Sequence, residues 1–144
     1  MKRMKFAIVC VLALVLVGCN SGTTKSYSVE VHNQSTQPVT LWLTKDGPPL
    51  EEGWLTPENV ADHPERKFKY DLAFVPAGKT GYTESTTGQF PKGTNAVLRV
   101  YEGEKEVFEL AKDATHVDTV LKPGSNHLMV VEQPAGGLIV QPSK

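Results

Sequence analysis

Four histidines, His32, His63, His116 and His127, are the side chains of this sequence best suited to metal ligation or proton transfer near neutral pH. None stands in an HxH or HxxxH spacing, so no short motif places two imidazoles on one face of a strand or helix. The best grouping is His116, Asp118 and His127, which share a sheet face if a tight hairpin closes at Pro123-Gly124. In that register His127 pairs with Val120, four residues from His116, or about 13 Å along the strand at roughly 3.3 Å per residue. One ion cannot reach both rings, so the expectation is solvated surface histidines with no bound metal or cofactor. Asp118 and His127 would then share a hydrogen bond and nothing more.

Other chemistry is equally thin. Gly78-Lys79-Thr80 matches the last residues of a phosphate-binding loop, which also needs a glycine five positions earlier and a helix directly afterwards. Ala73 occupies the first position and a strand-like pattern the second, so the segment reads as a turn after Pro76. No GxSxG elbow or SxxK pair is present for nucleophilic catalysis, and the adjacent carboxylates Glu51-Glu52 lie in a polar loop. The chain is expected not to be an enzyme.

Two tryptophans are more suggestive. In the run Val39, Leu41, Leu43 the intervening Trp42 shares its face with Thr40 and Thr44, and a large aromatic among threonines needs a cover. Residues 46–66 follow, the longest stretch without strand periodicity, and they supply Trp54 and Leu55. Either the two indoles pack together beneath this loop, or Trp42 and Trp54 form an exposed aromatic platform for a glycan or peptide, extended by Tyr82, Phe90 or Tyr101.

The elements that would position these residues are mostly strands. Tyr27, Val29 and Val31 alternate, as do Val39, Leu41 and Leu43, and Phe68, Tyr70, Leu72 and Phe74. Further strands are expected at residues 80–84, 96–101, 106–111, 116–121, 127–132 and 138–141. Residues 96–101 and 106–111 form a hairpin if Tyr101 faces Val107, which sets Arg99 against Glu109 on the opposite face. Lys122-Pro123-Gly124-Ser125 suits a type II turn joining 116–121 to 127–132. The one helical signal is Thr56-Pro57-Glu58, with Thr56 as N-cap and Pro64 as terminator, giving a short helix near residues 57–62. Eight or nine short strands without strand-helix alternation imply an all-β fold, an antiparallel β-sandwich of immunoglobulin-like type.

The N-terminus carries an address. Lys2, Arg3 and Lys5 precede the uncharged run 6–17, which is too short to cross a bilayer as a helix, and the run ends in Gly18-Cys19. Leu16-Val17-Gly18-Cys19 resembles the lipobox of bacterial lipoprotein precursors. That resemblance covers the first 19 residues and implies that residues 1–18 are a signal peptide removed on export. It further implies that Cys19 becomes the first mature residue, linked through a thioether to diacylglycerol. Cys10 leaves with the signal peptide, so Cys19 is the only mature thiol and no internal disulfide can form. In this family an Asp after the lipidated cysteine retains the protein in the inner membrane. Asn20 stands there, which implies the outer membrane if the organism is diderm.

Processing removes three basic residues, lowering Lys plus Arg from 15 to 12 against 16 acidic residues, a formal net charge of −4. With no block of like charges, neither nucleic acid nor anionic lipid is expected as a main partner, and the membrane is expected to hold the protein by lipid rather than by charge. The organisation read from the sequence is a signal peptide at 1–18, a lipidated N-terminus and tether at 19–25, and one domain at 26–144. The functional expectation is a lipid-anchored, non-catalytic structural or protein-interaction module of the cell envelope, with glycan or peptide binding on an aromatic platform as the alternative and a small envelope enzyme, its site gathered from distant strands, as the third reading.

Overall fold

The structure, a computed structural model, describes residues 22–45 and 47–144. The signal peptide at 1–18 and the lipidation of Cys19 lie outside the described residues. Nine strands and two short helices follow in chain order: β1 (Thr23–Asn33), β2 (Val39–Lys45), α1 (Pro57–Ala61), β3 (Asp71–Val75), β4 (Thr80–Tyr82), β5 (Thr86–Phe90), β6 (Ala96–Glu102), α2 (Val107–Leu110), β7 (Val117–Val120), β8 (Gly124–Glu132) and β9 (Leu138–Pro142). They form two packed sheets, the all-β sandwich expected from the strand pattern.

β1 is the hub of the first sheet. Its alternating Tyr27, Val29 and Val31 enter the space between the sheets. Along one edge its first half pairs with β5, from Thr23↔Phe90 to Tyr27↔Thr86, and its second half with β4. Along the other edge it runs parallel to β8, which then pairs antiparallel with β9. The parallel pair is the one departure from antiparallel pairing among the described strands. β1 also begins earlier than the 19–25 tether allowed, because Thr23, Thr24 and Lys25 are already in the ladder.

The second sheet has the order β3-β2-β6-β7. β2 is buried on both faces. Val39, Leu41 and Leu43 face the first sheet, while Thr40, Trp42 and Thr44 lie beneath α1, α2 and the chain around them. Burying threonine is tolerable only with its hydroxyl satisfied. Thr40 donates to the Gly103 carbonyl at 2.7 Å, and Thr44 to that of Trp54 at 2.8 Å.

Three expected elements are corrected. Residues 106–111 do not pair with 96–101, since Val107–Leu110 is helical and the free edge of β6 takes β7 instead, with Arg99 opposite Asp118. Val107 and Leu110, three apart, drop onto the outer cluster together, and the Glu109 carboxylate accepts the Glu106 N–H at 2.8 Å in a capping contact. The 122–125 turn does not close a hairpin, because β7 and β8 belong to different sheets. Leu121 enters the core there, and the Asn126 side chain clamps the crossover through the Lys122 N–H and carbonyl. The strand expected over 68–74 is only Asp71–Val75, and its core face is Ala73 and Val75. The conspicuous alternating set serves the other side: Phe68 and Leu72 join the outer cluster, Tyr70 stacks on Trp42, and Phe74 is exposed. The short helix is present as expected, with Thr56 Oγ1 accepting the Asn59 N–H at 3.2 Å and Asn59 Oδ1 accepting that of Thr56 at 3.3 Å.

Candidate functional site

The outer face of the second sheet, under α1 and α2, gathers most of the chemistry-bearing side chains. β6 and β7 pair with Arg99 opposite Asp118, and α1 lays Glu58 over them. One guanidinium nitrogen of Arg99 reaches both Glu58 carboxylate oxygens at 2.9 and 3.0 Å, while its Nε lies 3.7 Å from Asp118 Oδ1. His116 adds Nε2 at 3.3 Å from the same Asp118 oxygen and Nδ1 at 3.2 Å from the Asp113 carbonyl. Both neighbours are acceptors, and a neutral imidazole can donate to only one of them.

Tyr101, buried two residues along from Arg99, packs its ring 4.9 Å from that of His116. Its phenol is pushed above the ordinary range by burial, with the Arg99 guanidinium opposing the shift. Burial would also raise Glu58, but the hydrogen bonds at the start of α1 and the guanidinium outweigh it and hold the carboxyl below the usual range. Arg99 is stabilised as a cation by Tyr101 and Glu58 in spite of its own burial. The arrangement ties α1 to the sheet, with the Arg99 guanidinium set between the Glu58 and Asp118 carboxylates.

The structure therefore brings His116 and Asp118 together and sends His127 elsewhere. His127 lies on the outer face of the first sheet, with Nδ1 3.5 Å from Glu30 Oε1. His32 shares that face, its Nδ1 3.0 Å from the Thr80 hydroxyl on an exposed surface. His63 sits beyond α1, with Nδ1 3.6 Å from Glu65 Oε1. Among the described residues no three His, Cys, Asp or Glu side chains converge as a metal-binding group.

Trp42 and Trp54 are both buried, at 0 % and 2 % exposure, and they lie in different places. Trp42 belongs to the outer cluster, stacks on Tyr70 at 4.8 Å and donates Nε1 to the Leu55 carbonyl at 2.8 Å. Trp54 reaches the main core, meets Tyr27 and Phe90 edge-on and donates to the Thr87 carbonyl at 3.1 Å. Neither the paired packing nor the exposed platform expected for them is formed. Phe90 and Tyr101, offered as extensions of a platform, are buried as well, and Tyr82 is exposed on the other sheet.

What the sequence did not reveal is a cleft of about 530 Å³ between the loop that follows β2 and the chain beyond α1. Leu50, Leu55 and Phe68 supply its apolar lining, and Glu52, His63 and Arg66 its charged rim. Arg66 lies 5.9 Å from the Phe68 ring centroid, and the His63 ring 6.4 Å from it. Leu50 is 69 % exposed. The cleft arises where residues 47–70 fold back over Trp42, an arrangement with no periodic signature in the sequence. Among the described residues no helix is long and apolar enough to cross a membrane. No protein-family model matches the chain, and no curated protein is similar to it.

Proposed function

We propose that this chain is the precursor of a lipid-anchored lipoprotein of the cell envelope, a non-catalytic β-sandwich that works by contact with another envelope protein. The outer membrane is its destination if the organism is diderm. The observation that carries the reading is the closeness of the sandwich to the lipobox cysteine: β1 starts at Thr23, four residues after Cys19. The ionisable clusters support a contact role, since Arg99, Glu58, Asp118 and His116 are engaged with one another. The cleft beside Phe68 is the natural docking surface, because an apolar floor with an exposed leucine and a mixed-charge rim suits a segment of a partner protein. The glycan-or-peptide alternative has no exposed indole to rest on, and the cleft is where it would have to act.

Intact mass and membrane partitioning of wild type against Cys19→Ala test the anchor. Acyl mass on residue 19 and membrane retention of wild type alone are expected. Soluble, unacylated protein in both cases would make the chain an ordinary secreted β-domain. A photocrosslinking residue at Lys67, on the cleft rim, should give a discrete protein adduct in intact cells, whereas one at Lys79 should not.

A further inference from the structure

Apart from the link at 83–85, which lies beside Val29 in the middle of β1, the register assigns the loops between described strands to the two ends of the sandwich. Thr23 pairs with Phe90, Lys45 with Ala96, Val97 with Val120 and Tyr27 with Gly124, so residues 47–50, 91–95 and 121–123 all cluster at the end where β1 begins. Side chains knit this end together: Lys25 Nζ donates to Asn95 Oδ1 at 3.0 Å, Tyr27 donates its hydroxyl to the same oxygen at 2.9 Å, and Lys45 Nζ reaches the Gln89 carbonyl at 2.8 Å. The loops after Asn33, Val75, Glu102 and Glu132 lie at the opposite end, joined by the Gly78 N–H to Asn33 and the Gly103 N–H to Pro38.

Charge is divided between the two ends. Among the described residues the β1-start end carries Lys25, Lys45, Lys92 and Lys122 against Glu51. Lys45 is paired with Glu51, whereas Lys92 and Lys122 are exposed, as are Pro48 and Pro49 between them. The far end carries Glu102, Glu104, Glu106 and Glu132 against Lys79 and Lys105. A mature chain of net negative charge thus keeps an excess of cations where its first strand starts and an excess of carboxylates at the other end.

We infer that the β1-start end of the sandwich rests on the membrane, with Lys92 and Lys122 against anionic phospholipid headgroups and the acidic end turned away. The inference deepens the lipid-anchored reading and rests on it. Four residue steps from Cys19 to Thr23 reach at most about 14 Å at roughly 3.4 Å per residue, which is shorter than the eleven-residue β1 itself. The lipid therefore confines this end to the headgroup region, well within the range over which a charged surface acts on lysines. The anchor supplies retention, and the lysines supply orientation: lying on its acidic end, the domain would set carboxylates against phosphates.

Amine-acylation footprinting of the full acylated protein in vesicles tests this directly. In phosphatidylcholine vesicles containing phosphatidylglycerol, Lys92 and Lys122 should react at least about threefold more slowly than in phosphatidylcholine alone, with Lys79 and Lys112 unchanged and the protection lost at high salt. Charge reversal at both sites, Lys92→Glu with Lys122→Glu, should leave the protein vesicle-bound while removing the lipid dependence of labelling at Lys25. Acylated, vesicle-bound protein whose lysines all label alike, or whose protection falls on Lys79 and Lys112, overturns the orientation and leaves the anchor standing. Protein without acyl mass that fails to bind vesicles overturns the anchor, and the orientation with it.

Discussion

Two acidic residues respond to this fold in opposite senses. Asp71, at the start of β3, is pushed above the ordinary carboxylate range by burial and by nearby Glu84, against a weak bond from the Thr86 hydroxyl at 3.4 Å and the charge of Lys69. A raised carboxyl pKa means that the fold disfavours the ionised form, so this residue costs stability as pH rises through its folded pKa. Asp71→Asn is therefore expected to melt at the same temperature as wild type or a few degrees higher at pH 7, with the difference closing toward pH 4. A lower melting temperature at pH 7 would mean that the Thr86 bond outweighs the burial. Asp113 is the converse. Lys105 and the Thr115 hydroxyl and N–H bind its carboxylate and hold its pKa at about 2. A depressed pKa gives stability that is complete above the ordinary value and lost as pH falls through the folded one, here between about 4 and 2. Asp113→Asn should be less stable at pH 7 yet lose less on acidification through that window, as urea titrations at successive pH values would show. Neither behaviour was legible in the sequence, because both depend on partners brought from other loops.

At the scale of elements, the strands that the sequence showed plainly are those whose apolar face meets the other sheet, β1, β2 and β6. β5 escaped notice because Thr86, Thr87, Gly88 and Gln89 carry no apolar alternation, and its glycine is there for a neighbour. A Cβ on Gly88 would lie 2.5 Å from Trp54 Nε1 and 2.9 Å from Cε2, and that indole is pinned by its bond to the Thr87 carbonyl. Gly88→Ala is accordingly expected to cost roughly 1–3 kcal/mol, the range for overpacking a closed site. Because the clash is with the indole, Trp54→Phe should lose less stability in the Gly88→Ala background than alone, a coupling that a double-mutant cycle in urea would measure. Additive effects would place the cost in the β5 backbone instead. The same logic explains the misread parity of β3. Phe68, Tyr70 and Leu72 alternate as cleanly as a core strand does, but residues 47–70 build a second apolar layer outside the sheet, and periodicity cannot say on which side the cover lies. The cleft beside Phe68 was hidden for the same reason, whereas the meeting of His116 with Asp118 needed only their two-residue spacing where the chain enters β7.

For the molecule as a whole, β1 decides what can be removed. It is the first described strand and, among the described strands, the only one bonded to three others, with β5 paired to it through residues 23–27. The sheet contacts it makes are all distant in sequence, so this strand must wait for β8 before the first sheet closes. A chain starting at Gly22 retains every one of these pairs and should fold cooperatively without its lipid. One starting at Ser28 loses the whole β5 ladder, the Lys25 ties to residues 94–95, and Tyr27, a fully buried side chain. Truncating a buried aromatic costs about 3–5 kcal/mol by itself, and small domains are stable by only about 5–15 kcal/mol. Loss of the ladder on top of that should leave the Ser28 chain largely unfolded at 37 °C. Thermal denaturation followed by circular dichroism separates the two cases. A sharp transition for the Gly22 chain and none for the Ser28 chain would show that the sandwich reaches down to within a few residues of Cys19. A cooperative Ser28 chain would free residues 22–27 to serve as tether, lengthening the reach from Cys19 and removing the geometric reason for one end of the sandwich to stay at the membrane.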